Sequence, residues 1–250
     1  MLSLSIVIPA YNEEARLPDT LSAVTAYLGQ KQFSFAEILV VDDGSRDRTA
    51  ELVEKSQRDH PNLRLIRNPG NRGKGYAVRN GMLQAKGEWI LYTDADLSAP
   101  IGELDQLLAA VKRVGAEVAI GSRALNRSLV GVHQSAFREA SGRTFNVIMR
   151  GITGLSFRDT QCGFKLYSAA AAREIFSRQT FEGFSFDVED LVIAKVLGLR
   201  AVEVPVVWNN VEGTKVSTLA GVASFAALLG IRWRALTGRY GKNGPSLTAK

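Results

Sequence analysis

Two carboxylates with one residue between them, Asp94 and Asp96, follow the apolar run Trp89-Ile90-Leu91-Tyr92-Thr93. At that spacing both can reach one hard cation, directly or through water, and such a cation bridges to diphosphate oxygens. Mg²⁺ and Mn²⁺ are the fitting ions. Loop carboxylates that merely cap the next helix are the ordinary alternative, and a bare D-x-D does not exclude it. A second segment, Asn71-Arg72-Gly73-Lys74-Gly75, sets two glycines around a lysine before a helical stretch. It fits neither the G-x-x-x-x-G-K-[ST] loop nor the full G-x-G-x-x-G fingerprint. Backbone N–H groups at a helix start and one ammonium can still hold an anion. A loop with left-handed glycines and a solvated lysine explains the same residues equally well. Thiol chemistry has little support. Cys162 is the only cysteine, and with His60 and His133 far apart it makes no zinc set. A lone cysteine excludes an intrachain disulfide, fits a reducing compartment, and is ordinarily a small buried residue.

Groups of this kind need strands to carry them. The first half of the chain alternates short apolar runs with helix-compatible stretches, the pattern of a doubly wound α/β domain with a mostly parallel sheet and helices on both faces. The apolar runs predict strands at residues 3–8, 36–41, 63–66, 88–92 and 117–120. Helices are expected at 14–28, 47–58, 75–85 and 101–114, with Ser45 as N-cap of the second and Pro100 before the fourth. The second half predicts a helix over 136–152, an irregular stretch to Gly163, a strand at 164–167, helices at 169–176 and 187–197, and strand character in 201–208. No repeat or linker divides the chain, so residues 1–240 read as one domain. Residues 241–250 read as a flexible tail.

Ligands of a doubly wound sheet bind beyond the carboxyl ends of its strands. Each of the first four ends carries a polar cluster: Pro9 to Glu14, Asp42-Asp43-Gly44-Ser45, Asn68 to Gly75, and Asp94-Ala95-Asp96. Four clusters on one edge would make a composite site. The 250 residues are 46% hydrophobic and 22% charged, enough for a core without crosslinks, and the net charge is +6. That balance suits nucleotide phosphates or an anionic membrane face. Nucleic acid is not expected, because the basic residues are scattered and no recognition motif is present. The N-terminus reads as a strand and not as a signal peptide. Near the other end, residues 217–238 are apolar with a basic finish. Its apolar run, residues 216–231, falls short of the roughly 20 apolar residues of a membrane span and includes Ser217, Thr218 and two glycines, so the stretch reads either as a terminal helix packed on the core or as an interfacial helix.

The combination of Val7-Ile8-Pro9-Ala10-Tyr11-Asn12-Glu13-Glu14, Val40-Val41-Asp42-Asp43-Gly44-Ser45 with Asp47 and Thr49, and Asp94-Ala95-Asp96 resembles family 2 glycosyltransferases of the GT-A type. Within that family, Asn71-Arg72-Gly73-Lys74-Gly75, Asp159 to Lys165, Phe186-Asp187-Val188-Glu189 and Glu212-Gly213-Thr214-Lys215 look most like the dolichyl-phosphate glucosyltransferase group. The resemblance implies an inverting transferase that moves glucose from UDP-glucose to a polyprenyl phosphate on the cytoplasmic face of a membrane, with Mg²⁺ or Mn²⁺ on Asp94 and Asp96. It implies donor contacts from Pro9, Ala10, Tyr11, Glu13, Asp42 or Asp43, Lys74 and Ala95. Arg123, Arg138, Gln161 and Lys215 become the candidates for the acceptor and its phosphate. Arg138 and Glu189 join the two aspartates as candidate catalytic groups. Rival readings remain: a GDP-mannose or UDP-N-acetylglucosamine transferase using a sugar hydroxyl, with Glu189-Asp190 as base, or a non-catalytic nucleotide-sugar-binding module at the membrane.

Overall fold

The computed structural model describes residues 1–132, 146–209 and 218–241. Seven strands form one sheet in the order β3-β2-β1-β4-β7-β5-β8. They are β1 (Leu2–Ala10), β2 (Phe33–Asp42), β3 (Leu63–Arg67), β4 (Trp89–Thr93), β5 (Val118–Ser122), β7 (Phe164–Ser168) and β8 (Ala201–Pro205). A separate parallel pair, β6 (Val130–Val132) and β9 (Trp208–Asn209), lies apart from it. Helices α1 (Leu17–Gly29), α2 (Thr49–Ser56), α3 (Lys74–Gln84) and α4 (Leu104–Val114) follow the first four strands. Then come a helix over residues 146–153 (α5), α6 (Ala169–Phe176), α7 (Phe186–Val196) and α8 (Thr218–Leu236).

The strands are apolar almost throughout because both faces of the sheet are covered. Ile6, Ile8, Ile38 and Val40 point to one side and pack with Leu17, Leu21, Leu104 and Leu107. Their neighbours Val7, Leu39 and Val41 point to the other and pack with Val78, Met82, Leu191 and Ile231. The expected α/β architecture is present, and the predicted strands and helices appear within a few residues.

Ser45 is not the N-cap of α2. Its hydroxyl accepts from Asn12 N (2.9 Å), and Asp47 accepts instead from Thr49 N (3.0 Å), so the helix begins four residues later. Of the predicted helix over 136–152, residues 136–145 lie outside the described residues.

One strand runs against the rest. β7 is antiparallel to both β4 and β5, pairing Thr93 with Phe164 and Trp89 with Ser168. Its start therefore lies beside the carboxyl end of β4, where ligands of such a sheet bind. β7 is joined to α7 by buried ionic groups. The Lys165 ammonium donates to Asp187 Oδ1 (2.6 Å), Asp187 O (2.9 Å) and Asp190 Oδ2 (3.2 Å), and Tyr167 OH also donates to Asp190. Lys165 and Asp190 are fully buried. Burial alone would lower the lysine's pKa, but Asp187 and Asp190 outweigh it and hold the ammonium charged.

Asp190 Oδ1 has no partner among the described residues. Burial pushes this carboxyl up to about 7, with Lys165 pulling the other way and Asp187 adding to the rise. An aspartate in an unfolded chain titrates near ~3.9, so the folded protein holds this proton more tightly. Its contribution is complete at low pH and is lost as pH rises through about 7. Urea unfolding across that range is expected to show wild-type stability declining relative to Asp190→Asn. Parallel pH profiles for the two proteins would mean that Asp190 is ionised throughout.

Candidate functional site

The ends of β1, β2 and β4 and the loop after β3 meet in a cleft of about 380 Å³, within the size range of small-molecule sites. Pro9, Ala10, Tyr11 and Glu13 line it from the first end and Asp43 from the second. Asn71, Gly73 and Lys74 come from the third, and Asp94, Ala95 and Asp96 from the fourth. Register brings the pieces together. Ala10 pairs with Asp42, Asp43 N donates to Ala10 O (2.9 Å), and Thr20 of α1 donates to Ala95 O (2.6 Å).

The two aspartates after β2 divide their work. Asp42 is buried, closes the turn by accepting from Ser45 N (3.1 Å), and is absent from the cleft wall. Asp43 reaches the cleft and pins the loop before α3. Its Oδ1 accepts from Asn68 Nδ2 (2.8 Å) and Arg72 N (3.1 Å), and its Oδ2 from Gly73 N (2.7 Å). A carboxylate offers about four acceptor positions, so one remains for a ligand N–H.

Asp94 Oδ1 receives both the Lys74 ammonium (2.7 Å) and Tyr92 OH (2.9 Å). Burial drives the Tyr92 phenol well above its usual range, with Asp187 and Asp94 adding to the rise, so it stays a donor. Burial alone would lower the Lys74 pKa, but Asp94, Asp187 and Asp96 raise it, so the ammonium stays charged. Gly163, at the start of β7, lies against Asp94. Its carbonyl accepts from Asp94 N (3.1 Å), and a Cβ there would sit 2.1 Å from Asp94 Oδ2. Asp96 Oδ1 accepts from Ser98 N (3.0 Å), and its Oδ2 is 4.0 Å from Arg16 Nη1. Leu97 between them has φ of 44°, a left-handed conformation uncommon for leucine and often found at functional turns.

No group of three His, Cys, Asp or Glu side chains that could hold a metal occurs among the described residues. Two carboxylates are nevertheless a fitting donor set for Mg²⁺ or Mn²⁺, hard ions that keep waters and take further oxygens from substrate phosphates. Asp94 Oδ2 and the Asp96 carboxylate are placed to supply them.

The acceptor-side candidates are not gathered here. Arg123 grips Asp159 through Nε (2.6 Å) and Nη2 (2.7 Å) and stacks on Trp208 at 4.7 Å. Gln161 is half-buried and outside the cleft wall, and Cys162 beside it is buried. Glu189 is fully buried, with its oxygens engaged by Thr180, Phe181 and Tyr240, so the structure does not present it as a cleft base. Arg138 and Lys215 lie outside the described residues. Reading the sequence missed Arg16, Phe184, Tyr92 and Gly163. Arg16 carried a signal, since Glu13 sits three residues before it and the two pair at 2.6 Å. Tyr92 reads as core, and Phe184 stands in a segment with no periodicity.

The sequence model of glycosyl transferase family 2 matches residues 5–176. A dolichyl-phosphate beta-glucosyltransferase of Trichomonas vaginalis is 37% identical over 231 residues, which cover 89% of this chain and 70% of that protein. The Drosophila melanogaster protein of the same description is 39% identical over 228 residues, covering 86% and 70%. Among solved structures, glucosyl-3-phosphoglycerate synthase from Mycobacterium tuberculosis, in complex with Mn²⁺, UDP-glucose and phosphoglyceric acid, superposes with a TM-score of 0.66. At 19% identity over 93% of this chain and 80% of that one, this likeness carries the GT-A fold.

Gly163→Ala tests the packing of the Asp94 carboxylate. The new methyl is expected to displace it and to weaken Mn²⁺ binding about ten-fold, the scale of a disturbed ligand shell, while the unfolding midpoint moves little. Unchanged Mn²⁺ affinity in a titration would remove Asp94 from the cation site.

Proposed function

The chain belongs to glycosyl transferase family 2 and is a glycosyltransferase, and on that premise we propose that it transfers glucose from UDP-glucose to a polyprenyl phosphate of the dolichyl type. The observation that carries this reading is the meeting of Asp43, Lys74, Asp94 and Asp96 in one cleft at the strand ends. The dolichyl-phosphate beta-glucosyltransferases to which the chain is similar support the donor sugar and the acceptor.

In this mechanism an oxygen of the acceptor phosphate attacks the anomeric carbon while the bond to the diphosphate breaks, and the configuration inverts. Asp94 and Asp96 would hold the cation, which would supply neutralising charge to the leaving diphosphate. Lys74 stands beside it as a fixed positive charge, held by Asp94 and kept protonated by the surrounding carboxylates. Pro9, Tyr11 and Asp43 form the wall for the nucleoside. A phosphate monoester has its second pKa near ~6 and is already largely anionic at neutral pH, so it needs no strong base. The cleft agrees with that. Glu13 is held by Arg16 (2.6 and 2.7 Å) and Asp43 pins its loop, leaving no described lining carboxylate apart from the pair assigned to the cation. A sugar-hydroxyl acceptor would require a base, and Glu189 and Asp190 are both buried in bonds to the protein.

A lipid-linked acceptor places the protein at a membrane face. No described helix is long and apolar enough to cross a membrane. α8 buries Leu228 and Ile231 in the core and exposes Leu229, Trp233 and Leu236 on another face, with exposed Arg232 and Arg239 nearby. One side of α8 thus packs on the core. The other side has the composition of an interfacial surface, which we place on the anionic cytoplasmic leaflet.

Three measurements bear on this reading. Calorimetry with Mn²⁺ is expected to favour UDP over GDP, and folded Asp96→Ala to lose turnover by at least roughly 100-fold. A preference for GDP would move the donor to a mannosyl nucleotide, and full turnover in excess chelator would remove the cation. Flotation with anionic liposomes at low salt is expected to carry the wild type and to fail for the Leu229→Asp, Trp233→Asp double variant. Equal flotation of both would take the α8 stripe out of the membrane contact.

A further inference from the structure

Glu189 is fully buried in α7, away from the cleft wall, and its carboxylate is saturated. It accepts from Thr180 N (3.0 Å), Thr180 Oγ1 (2.7 Å), Phe181 N (2.8 Å) and Tyr240 OH (2.7 Å). Four donors match the four acceptor positions of a carboxylate, and charge-assisted bonds of this kind are the strong ones. The donors come from two segments only: the turn at Thr180 and Phe181, and the chain just beyond α8.

The turn that Glu189 holds leads to Phe184 on the cleft wall and packs behind the Gly73–Tyr76 turn. Gln179 Nε2 donates to Gly75 O (2.9 Å) and Tyr76 N donates to Glu182 O (3.2 Å). Gly73 approaches so closely that a Cβ would lie 2.6 Å from the Glu182 carbonyl oxygen. Two residues on, Phe184 lines the cleft with its ring 5.9 Å from the Lys74 ammonium. α8 closes over the other side of the turn. A Cβ at Gly230 would lie 3.1 Å from the Phe181 ring, and the Arg234 guanidinium stands 5.8 Å above it.

The geometry points to Glu189 as a positioning residue that, with Tyr240, latches residues 180–184 against the Gly73–Tyr76 turn and so sets the wall of the donor cleft. The C-terminal helix is thereby made part of the donor site without touching the donor. The inference rests on the nucleotide-sugar reading of the cleft, and its test separates the two. Tyr240→Phe removes one donor and keeps the ring; Glu189→Gln keeps the side-chain shape and turns an acceptor oxygen into a donor. In ligand-free Tyr240→Phe, the Thr180 and Phe181 amides are expected to exchange about five-fold faster, as one lost hydrogen bond implies, with exchange elsewhere unchanged. The dissociation constant for UDP is expected to rise by a similar factor while kcat stays within about two-fold. Glu189→Gln should move the same quantities further in the same direction.

Unchanged exchange at 180–181, or a uniform rise over the whole chain, would overturn the latch. So would a fall in kcat with UDP affinity intact, which would return Glu189 to the chemistry. A wild type that binds no UDP would defeat the nucleotide-sugar reading and leave the exchange result to decide the latch.

Discussion

A carboxylate at the end of a buried strand needs partners, and Asp94 draws its partners from three elements. Lys74 comes from the start of α3, Tyr92 from β4 itself, and Gly163 from the start of β7. The third contact explains the topology around the site. A parallel strand in the place of β7 would bring its carboxyl end, not its beginning, beside Thr93. Running backwards, β7 offers the Gly163 carbonyl to Asp94 N and leaves out the side chain that would collide with the carboxylate. The reversed strand is thus the means by which the sheet holds Asp94 from behind.

Charge continues inward from that point with alternating sign. Asp94 meets Lys74, whose charge is also supported by Asp187, and Asp187 bonds Lys165, which bonds Asp190. A buried ion pair is a weak source of stability, because desolvation offsets most of the attraction, but removing one partner leaves an expensive bare charge. Such a chain serves better as a geometric constraint than as glue. It ties the first turn of α7 to β7 and adds Asp187, away from the cleft wall, to Asp94 and Asp96 on it, so the described ammonium in the cleft keeps its charge with support from three carboxylates.

The strand ends were legible because their polar clusters interrupt long apolar runs at a period that both-face burial dictates. Asp94, Asp96, Asp43 and Lys74 could be placed together before any coordinates, since a parallel sheet puts successive strand ends on one edge. Residues whose role depends on the reversed strand were not legible. Gly163 looks like an ordinary turn glycine, and Tyr92 and Lys165 look like members of a strand. The surroundings of Glu189 were not legible for a related reason: an acidic residue in the sequence says nothing about which donors surround it. Its four partners come from 180–181 and from Tyr240, 51 residues away, and only folding brings them together. The choice between Asp42 and Asp43 was open for the same reason, one residue of strand deciding which of them turns toward the cleft.

Overall charge and local charge point in opposite directions. The chain carries +6, yet the described lining of the cleft has four acidic side chains, Glu13, Asp43, Asp94 and Asp96, against two basic ones, Arg16 and Lys74. Both basic groups are already paired, Arg16 with Glu13 and Lys74 with Asp94. A diphosphate entering such a cleft alone would meet net repulsion in a partly desolvated space, where Coulomb terms exceed their value in water. Under the proposed function, a divalent cation on Asp94 and Asp96 would reverse the local sign and make the same groups attractive to the donor. The positive excess of the chain must then lie outside the cleft, where on the proposed function it would draw anionic nucleotide and headgroup phosphate toward the protein over a Debye length of about 8–10 Å. On the proposed function, a site of this sign would take up its metal and its diphosphate as a unit, and would discriminate against free phosphate esters that arrive without a cation.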